Sequence, residues 1–207
     1  GGGVKNNIPK RIIATGDFHG DLDACRVCFE DLAKVVKVNK NEFDEFKKEK
    51  NIKEYNNYNL FDEWTGGNTC VILLGDMIDR KRINSHEIDS KTTGEVKDEE
   101  EKLLIFVNQA YKIAHKHGGD VKKCLGNHEI INLFGNEYKQ SVATYTSTYS
   151  LNNFCDRDGK CDKNDKVKSK IKFFEPKGDI GKLIGENNAY GIVKIGDWIF
   201  MHGGLSL

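Results

Sequence analysis

A mixed α/β fold is predicted by three observations. Arg11 to Thr15 reads as a short strand that runs into the acidic turn Gly16-Asp17-Phe18-His19-Gly20-Asp21 and then into apolar residues at helical spacing, the first unit of an α/β sheet. Cys70-Val71-Ile72-Leu73-Leu74 is an unbroken apolar run of strand length, the pattern of a parallel strand buried on both faces. Near the other end of the chain, Tyr190 to Ile195 and Trp198 to Met201 flank Gly196-Asp197, which predicts a closing pair of strands joined by a turn.

In chain order, Asp21 is placed to cap a helix running to about Val38, with Leu22, Cys25, Phe29, Leu32, Val35 and Val36 as its apolar face. Asn39 to Asn59 turns to Lys, Glu and Asn punctuated by Phe43, Phe46, Tyr55 and Tyr58, an insertion with a partly buried helix. The second strand follows Trp64-Thr65-Gly66-Gly67 and delivers Asp76, Asp79 and Arg80 just past its end, where ligands bind in open α/β sheets. A polar linker from Asn84 to Asp98 contains His86, read as structural. A helix over about Glu99 to His117 follows, with a stripe of Leu103, Phe106, Val107, Ala110, Ile113 and Ala114 and a stop at Gly118-Gly119. His115 and His117 in its last turn complement the helix dipole. The third strand, Val121 to Leu125, ends at Gly126-Asn127-His128-Glu129. Ile130 to Ser150 is expected to cover the site, and Lys166 to Lys172 to be a charged connector. No internal repeat is present.

Composition sets limits. The 207 residues suit one domain, or one and a fraction, with 1–10 as a tag remnant and lead, and with polar insertions near 39–63 and 150–170. Lys and Arg number 32, as do Asp and Glu, so no broad polyanion-binding face, and hence no nucleic acid partner, is expected. No apolar run reaches membrane-spanning length and no signal-peptide core is visible. Gly1-Gly2-Gly3 reads as a leftover tag, which leaves open whether a native targeting segment preceded it, so the compartment (cytoplasm or an organelle lumen, for a soluble chain) and the oligomeric state stay open. There is no Asn-x-Ser/Thr sequon.

The 6 cysteines form no zinc pattern. Cys25 and Cys28 lie one helical turn apart and are read as core, as are Cys70 and Cys124. Cys155 and Cys161, in a polar stretch, either close a small disulfide ring or remain free thiols. Cys155-Asp156-Arg157-Asp158-Gly159-Lys160 lacks the ligand alternation and closing Glu of a calcium loop.

Four strand ends thus carry Asp17-x-His19, Asp76-x-x-Asp79-Arg80, Asn127-His128-Glu129 and His202-Gly203-Gly204, each beside glycine. This constellation resembles the metallophosphoesterase superfamily, specifically the phosphoprotein phosphatases. Trp64-Thr65-Gly66-Gly67, the run Gly126 to Gly135 with Tyr138 after it, and Phe173-Phe174-Glu175-Pro176-Lys177-Gly178 are similar to the Shewanella-like protein phosphatases. The resemblance covers 11–207 apart from the insertions. It implies a β-sandwich of mixed sheets flanked by helices, truncated at the C-terminus.

The resemblance also implies a metal-dependent phosphatase hydrolysing phosphomonoesters, phosphotyrosine at least as readily as phosphoserine or phosphothreonine, with a phosphoprotein as partner. Asp17, His19 and Asp76 would bind one divalent cation, and Asp76, Asn127 and His202 a second. Carboxylate, amide and imidazole donors without thiolates suit Mn²⁺, Fe or Zn²⁺. Two such ions would activate a hydroxide nucleophile. His128, oriented by Asp79, would protonate the leaving oxygen, and Arg80 would neutralise charge on the phosphoryl group. Alternatives are a diadenosine-tetraphosphate hydrolase of the same superfamily and a non-catalytic phosphate-binding module. Lys81 and the segment Lys177-Gly178-Asp179-Ile180-Gly181 depart from the family pattern. A further metal-binding His is expected beyond Leu207, so the second site is expected to be incomplete here.

Overall fold

The structure, a computed structural model, describes residues 8–49, 57–80, 99–162, 164–187 and 189–204. Its main sheet is parallel, with spatial order β1-β4-β5-β6, built from β1 (Arg11–Thr15), β4 (Thr69–Leu73), β5 (Asp120–Cys124) and β6 (Ala189–Tyr190). Every residue of β4 is buried because both faces of the sheet are covered. Val71 and Leu73 enter a large core under the helices, while Cys70 and Ile72 enter a smaller one on the opposite face, the period of two that a strand imposes.

On the helical face, α1 (Leu22–Val27) is capped by Asp21, whose Oδ1 accepts the Ala24 amide at 2.9 Å. The helix expected to reach Val38 stops early. A π-helical turn spans Cys28–Leu32, Lys34 adopts φ 53°, and Val36–Val38 form β2, antiparallel to β3 (Phe61–Trp64). Buried Val36 and Val38 flank exposed Lys37, so the apolar spacing read as helical belongs locally to a strand. Cys25 is buried and Cys28 half-buried, and both are free thiols.

The insertion near 39–63 is more than solvated surface. α2 (Lys40–Lys48) buries Phe43 and Phe46, and β3 closes the range with Phe61 and Trp64 in the core. α3 (Glu100–Lys116) buries Leu104, Ile105 and Asn108 beyond its predicted stripe, because α1, β3, β5 and a later helix enclose it. In its last turn His115 Nε2 lies 2.8 Å from Asp120 Oδ1, a structural pairing. His86 and Lys81 lie outside the described residues.

After β5 come α4 (Asn127–Leu133), α5 (Lys139–Tyr145), α6 (Thr148–Asp158), α7 (Lys166–Phe174) and α8 (Asp179–Gly185). The stretch read as a polar insertion near 150–170 and a charged connector is therefore largely helical. α6 buries Phe154 and Cys155, and α7 buries Ser169, Lys170, Ile171 and Phe174. Lysines at every second position of 166–172 hide the helical period from a hydrophobicity reading. Of the two states open to Cys155 and Cys161, the structure has the disulfide.

The other face of the sheet is covered by the antiparallel hairpin β7 (Ile192–Ile195) and β8 (Trp198–Met201), turning at Gly196 with φ 58°. Val193, Ile195 and Phe200 pack on Cys70, Ile72 and Cys124 and supply the second layer of a sandwich. Tyr190, expected in the same strand as Ile195, instead belongs to β6. No helix among the described residues is long and apolar enough to cross a membrane.

Candidate active site

The loops that leave β1 and β4 are laced together. Amides of Asp17, His19 and Gly20 donate to the carbonyls of Gly75, Asp76 and Met77 at 3.0, 2.9 and 2.8 Å. The tight paths put Asp17, His19, Asp76 and Asp79 at φ 56°, 45°, 52° and 62°. Left-handed backbone costs a residue with a Cβ on the order of 1–2 kcal/mol. The strain therefore falls on positions whose side chains were singled out for chemistry.

The loops after β4 and β5 approach too closely for side chains. A Cβ on Gly75, itself at φ 103°, would lie 2.5 Å from the Gly126 nitrogen, and one on Gly126 would lie 2.1 Å from Asp76 Oδ1. Buried Glu129 ties the same loops. Its Oε2 accepts the amides of Asp76 and Gly126, and its Oε1 that of Met77, each at 2.8 Å. Burial holds its pKa above the usual carboxylate value in spite of these amides.

Asp76 is the hub. Its Oδ2 lies 3.9 Å from His19 Nε2, 3.9 Å from His128 Nε2 and 3.3 Å from His202 Nε2. His19 Nδ1 faces the carbonyls of Ile78 and Asp79 at 3.1 and 2.9 Å, and His202 Nδ1 faces the Leu74 carbonyl at 3.0 Å. A carbonyl only accepts, so each Nδ1 carries a proton and each ring is held with its Nε2 turned to the centre. His202 Nε2 is then 3.0 Å from Asn127 Oδ1 as well as 3.3 Å from Asp76 Oδ2. Imidazole nitrogen, amide oxygen and carboxylate oxygen thus converge on one point, a donor set that suits a cation.

Two groups of ligand atoms, each within 4.8 Å, could hold a metal: His19, Asp76 and His128, and Asp17, Asp76 and His202. Asp76 is shared by both, as a bridging carboxylate requires. The grouping differs from the expected one in one respect. Exposed Asp17 stands with His202, Oδ1 to Nδ1 3.9 Å, and His19 stands with His128.

Beside the hub, His128 Nδ1 lies 3.1 Å from Asp79 Oδ2, which leaves Nε2 facing the centre. The rings of His19 and Tyr145 pack against the His128 ring, with centroids 5.0 Å away in each case. Asp79 is 0% exposed. Its Oδ2 also accepts Asn132 Nδ2 at 2.5 Å, while Oδ1 accepts Lys170 Nζ at 2.7 Å and Thr146 Oγ1 at 3.4 Å. Burial pushes the Asp79 pKa up, but the Lys170 ammonium and the His128 bond outweigh it and bring the pKa to about 2. For His128, burial pulls the pKa down, and the bond to Asp79 with its charge more than offsets this, so the net shift is upward.

Arg80 stands at the rim, with Nη2 3.1 Å from Asp21 Oδ2, the residue that caps α1. Sequence reasoning missed Asn132, Thr146, Lys170 and Glu100, and gave Glu129 no role. Asn132 follows His128 by one helical turn, a usable signal. Lys170, in a lysine-rich stretch, carried none.

Solved structures of cold-active protein tyrosine phosphatase, one of them from a psychrophilic Shewanella species, superpose on 94% of this chain with a TM-score of 0.57 at 20% identity, the match taking in 41–42% of those chains. The chain has this phosphatase fold. In sequence it is similar to Shewanella-like protein phosphatase 2 of Arabidopsis thaliana, 25% identical over 224 residues that take in 95% of this chain and 47% of that protein. It is also similar to an uncharacterized protein of Schizosaccharomyces pombe, 35% identical over 132 residues, 64% of this chain and 29% of that protein. The likeness to Shewanella-like phosphatases read from the motifs thus extends over nearly the whole chain. The chain spans half or less of the length of these relatives. No family model matches it.

Proposed function

We propose that this chain carries the metal centre of a protein phosphatase that hydrolyses phosphomonoesters, phosphotyrosine at least as readily as phosphoserine or phosphothreonine. The observation that supports this most directly is the convergence of His202 Nε2, Asn127 Oδ1 and Asp76 Oδ2. The donors are oxygen and imidazole nitrogen, and each imidazole is fixed through its other nitrogen, so the residues fit hard-to-borderline divalent cations such as Mn²⁺, Fe²⁺ or Zn²⁺. As the motifs imply, Asp17, His19 and Asp76 would hold one ion, and Asp76, Asn127 and His202 the other, with exposed Asp17 turning from His202 toward His19 to do so. Such ions, when bound, supply Lewis acidity toward a phosphoryl oxygen and lower the pKa of a bound water.

The remaining work falls to side chains. His128, as imidazolium, gives its Nε2 proton to the leaving oxygen, while Asp79 keeps Nδ1–H engaged so that the ring cannot turn. Arg80 exchanges Asp21 for a phosphoryl oxygen and neutralises charge there. The substrate class is supported by the names of the relatives, a protein phosphatase and protein tyrosine phosphatases.

The test uses full-length protein stripped with chelator and reloaded with Mn²⁺, Fe²⁺ or Zn²⁺. Metal-dependent phosphate release from phosphotyrosyl or phosphoseryl peptides is expected, reduced about 100-fold or more in Asp76→Asn. Turnover of diadenosine tetraphosphate with none of the peptides would replace this reading by a dinucleotide hydrolase. Phosphopeptide binding without turnover in every metal would replace it by a binding module.

A further inference from the structure

We propose that Lys170 is a positioning residue for His128, acting through the carboxylate of Asp79. This rests on the phosphatase reading, in which His128 is the proton donor.

Lys170 lies on α7, 91 residues from Asp79 in sequence, and is 0% exposed. Burying an ammonium costs several kcal/mol unless it is well paired. Its Nζ is 2.7 Å from Asp79 Oδ1 and 3.1 Å from each oxygen of Glu100, and it stands 4.5 Å from the centroid of the Phe174 ring. Glu100 is itself held by Ser150 Oγ at 2.6 Å and by the Asp79 amide at 3.3 Å. A buried ion pair is often no more stabilising than apolar residues of the same volume. Stability alone therefore does not account for the network, and its location points to His128. Lys170 holds the oxygen of Asp79 that His128 does not use. With Oδ1 taken by Lys170 and Thr146, and Oδ2 by Asn132 and His128, the carboxylate cannot rotate without breaking four contacts. Its plane, and with it the His128 ring, is set from α7.

The test uses Lys170→Met and, because that change strands two buried carboxylates, Lys170→Met/Glu100→Gln, which also removes the counter-charge. In metal-free protein, at a pH high enough for the His128 ring to be neutral, its ¹⁵N spectra are expected to show the single Nδ1–H tautomer in wild type and a mixture of tautomers in the variants. In metal-loaded full-length protein, kcat on a phosphoseryl peptide should fall about tenfold with KM unchanged, and by less than about threefold on p-nitrophenyl phosphate, whose leaving group needs no proton. In an Asp79→Asn background the Lys170 change should add less than about twofold. A retained single tautomer, equal losses on both substrates, or full additivity with Asp79→Asn would overturn the proposal and leave Lys170 a structural ion-pair partner. If neither variant folds, the Lys170 ammonium nitrogen is followed in His128→Ala instead. Its signal should move when the shared carboxylate is released on one side, and an unmoved signal overturns the link. Wild-type protein inactive on both phosphates would remove the phosphatase reading alone, since the ring and ammonium spectra still decide whether Lys170 sets His128.

Discussion

At the residue scale, the centre depends on positions where one atom more or less is decisive. Gly126 is one, because a methyl group there would meet Asp76 Oδ1 at 2.1 Å and the Asp76 nitrogen at 2.6 Å. Gly126→Ala should cost about 2 kcal/mol or more and weaken metal binding at the proposed centre by displacing the Asp76 carboxylate. Urea unfolding and metal titration by calorimetry measure both, and unchanged affinity would show that the loops can part. Glu129 is the other, since its two oxygens accept three backbone amides. Gln at this position presents an NH₂ to amides that need an acceptor. Glu129→Gln should therefore lose about 1–3 kcal/mol in the same unfolding assay, whereas a value near zero would mean that water takes over the role. The adjacency of Glu129 to His128 is visible in the sequence, but two of its three partners are not, because they lie 52 and 53 residues earlier.

At the element scale, β5 and α8 are joined by a buried lysine. Lys123 Nζ donates to Asn108 Oδ1 at 2.7 Å and to the carbonyls of Leu183 and Glu186, at the C-terminal end of α8, at 3.2 and 2.6 Å. Burial pulls its pKa from 10.5 down to about 8, although Glu186 and Glu129 act in the opposite direction. The unfolded chain then holds the proton more tightly than the fold. Stability should rise as pH goes from about 8 to about 10.5, and the charged form bears its full cost below that window. Denaturation at the two ends of the window should show the rise in wild type and not in Lys123→Met, and parallel curves would count against the buried lysine. The Cys155–Cys161 bond closes a small ring between the end of α6 and the segment leading into α7, with a separation of 6 residues. The double Ser variant is expected to lose about 2 kcal/mol by the loop-entropy relation, and a loss well under that would mean that α6 and α7 hold each other without the bond.

At the scale of the whole molecule, three strand ends and a hairpin end bring the candidate ligands to one place, so a cation held there would couple its binding to folding. A cation present at about 100 times its Kd should raise stability by about 2.7 kcal/mol, a melting shift of several degrees. Mn²⁺, Fe²⁺ or Zn²⁺ should each be tried, with chelator reversing the shift and Asp76→Asn abolishing it. A melting temperature indifferent to all of them would remove the metal centre.

The linear chain by itself determined the parallel strands β1, β4 and β5, the long helix α3, and the rim where Asp17, His19, Asp76, Asn127 and His202 meet. Those are local quantities: hydrophobic period, a turn residue, a polar side chain just past a strand. Tertiary structure alone decided the strand at Val36–Val38, the helices over 148–174, and the fixing of Asp79 by Lys170. In each of these the local pattern is ambiguous or misleading. Val35 and Val36 fit helical spacing, and a lysine-rich stretch reads as solvated until a buried pair of carboxylates is found to need its ammonium. Period and propensity act over a few residues, whereas the desolvation of a charge depends on everything packed around it.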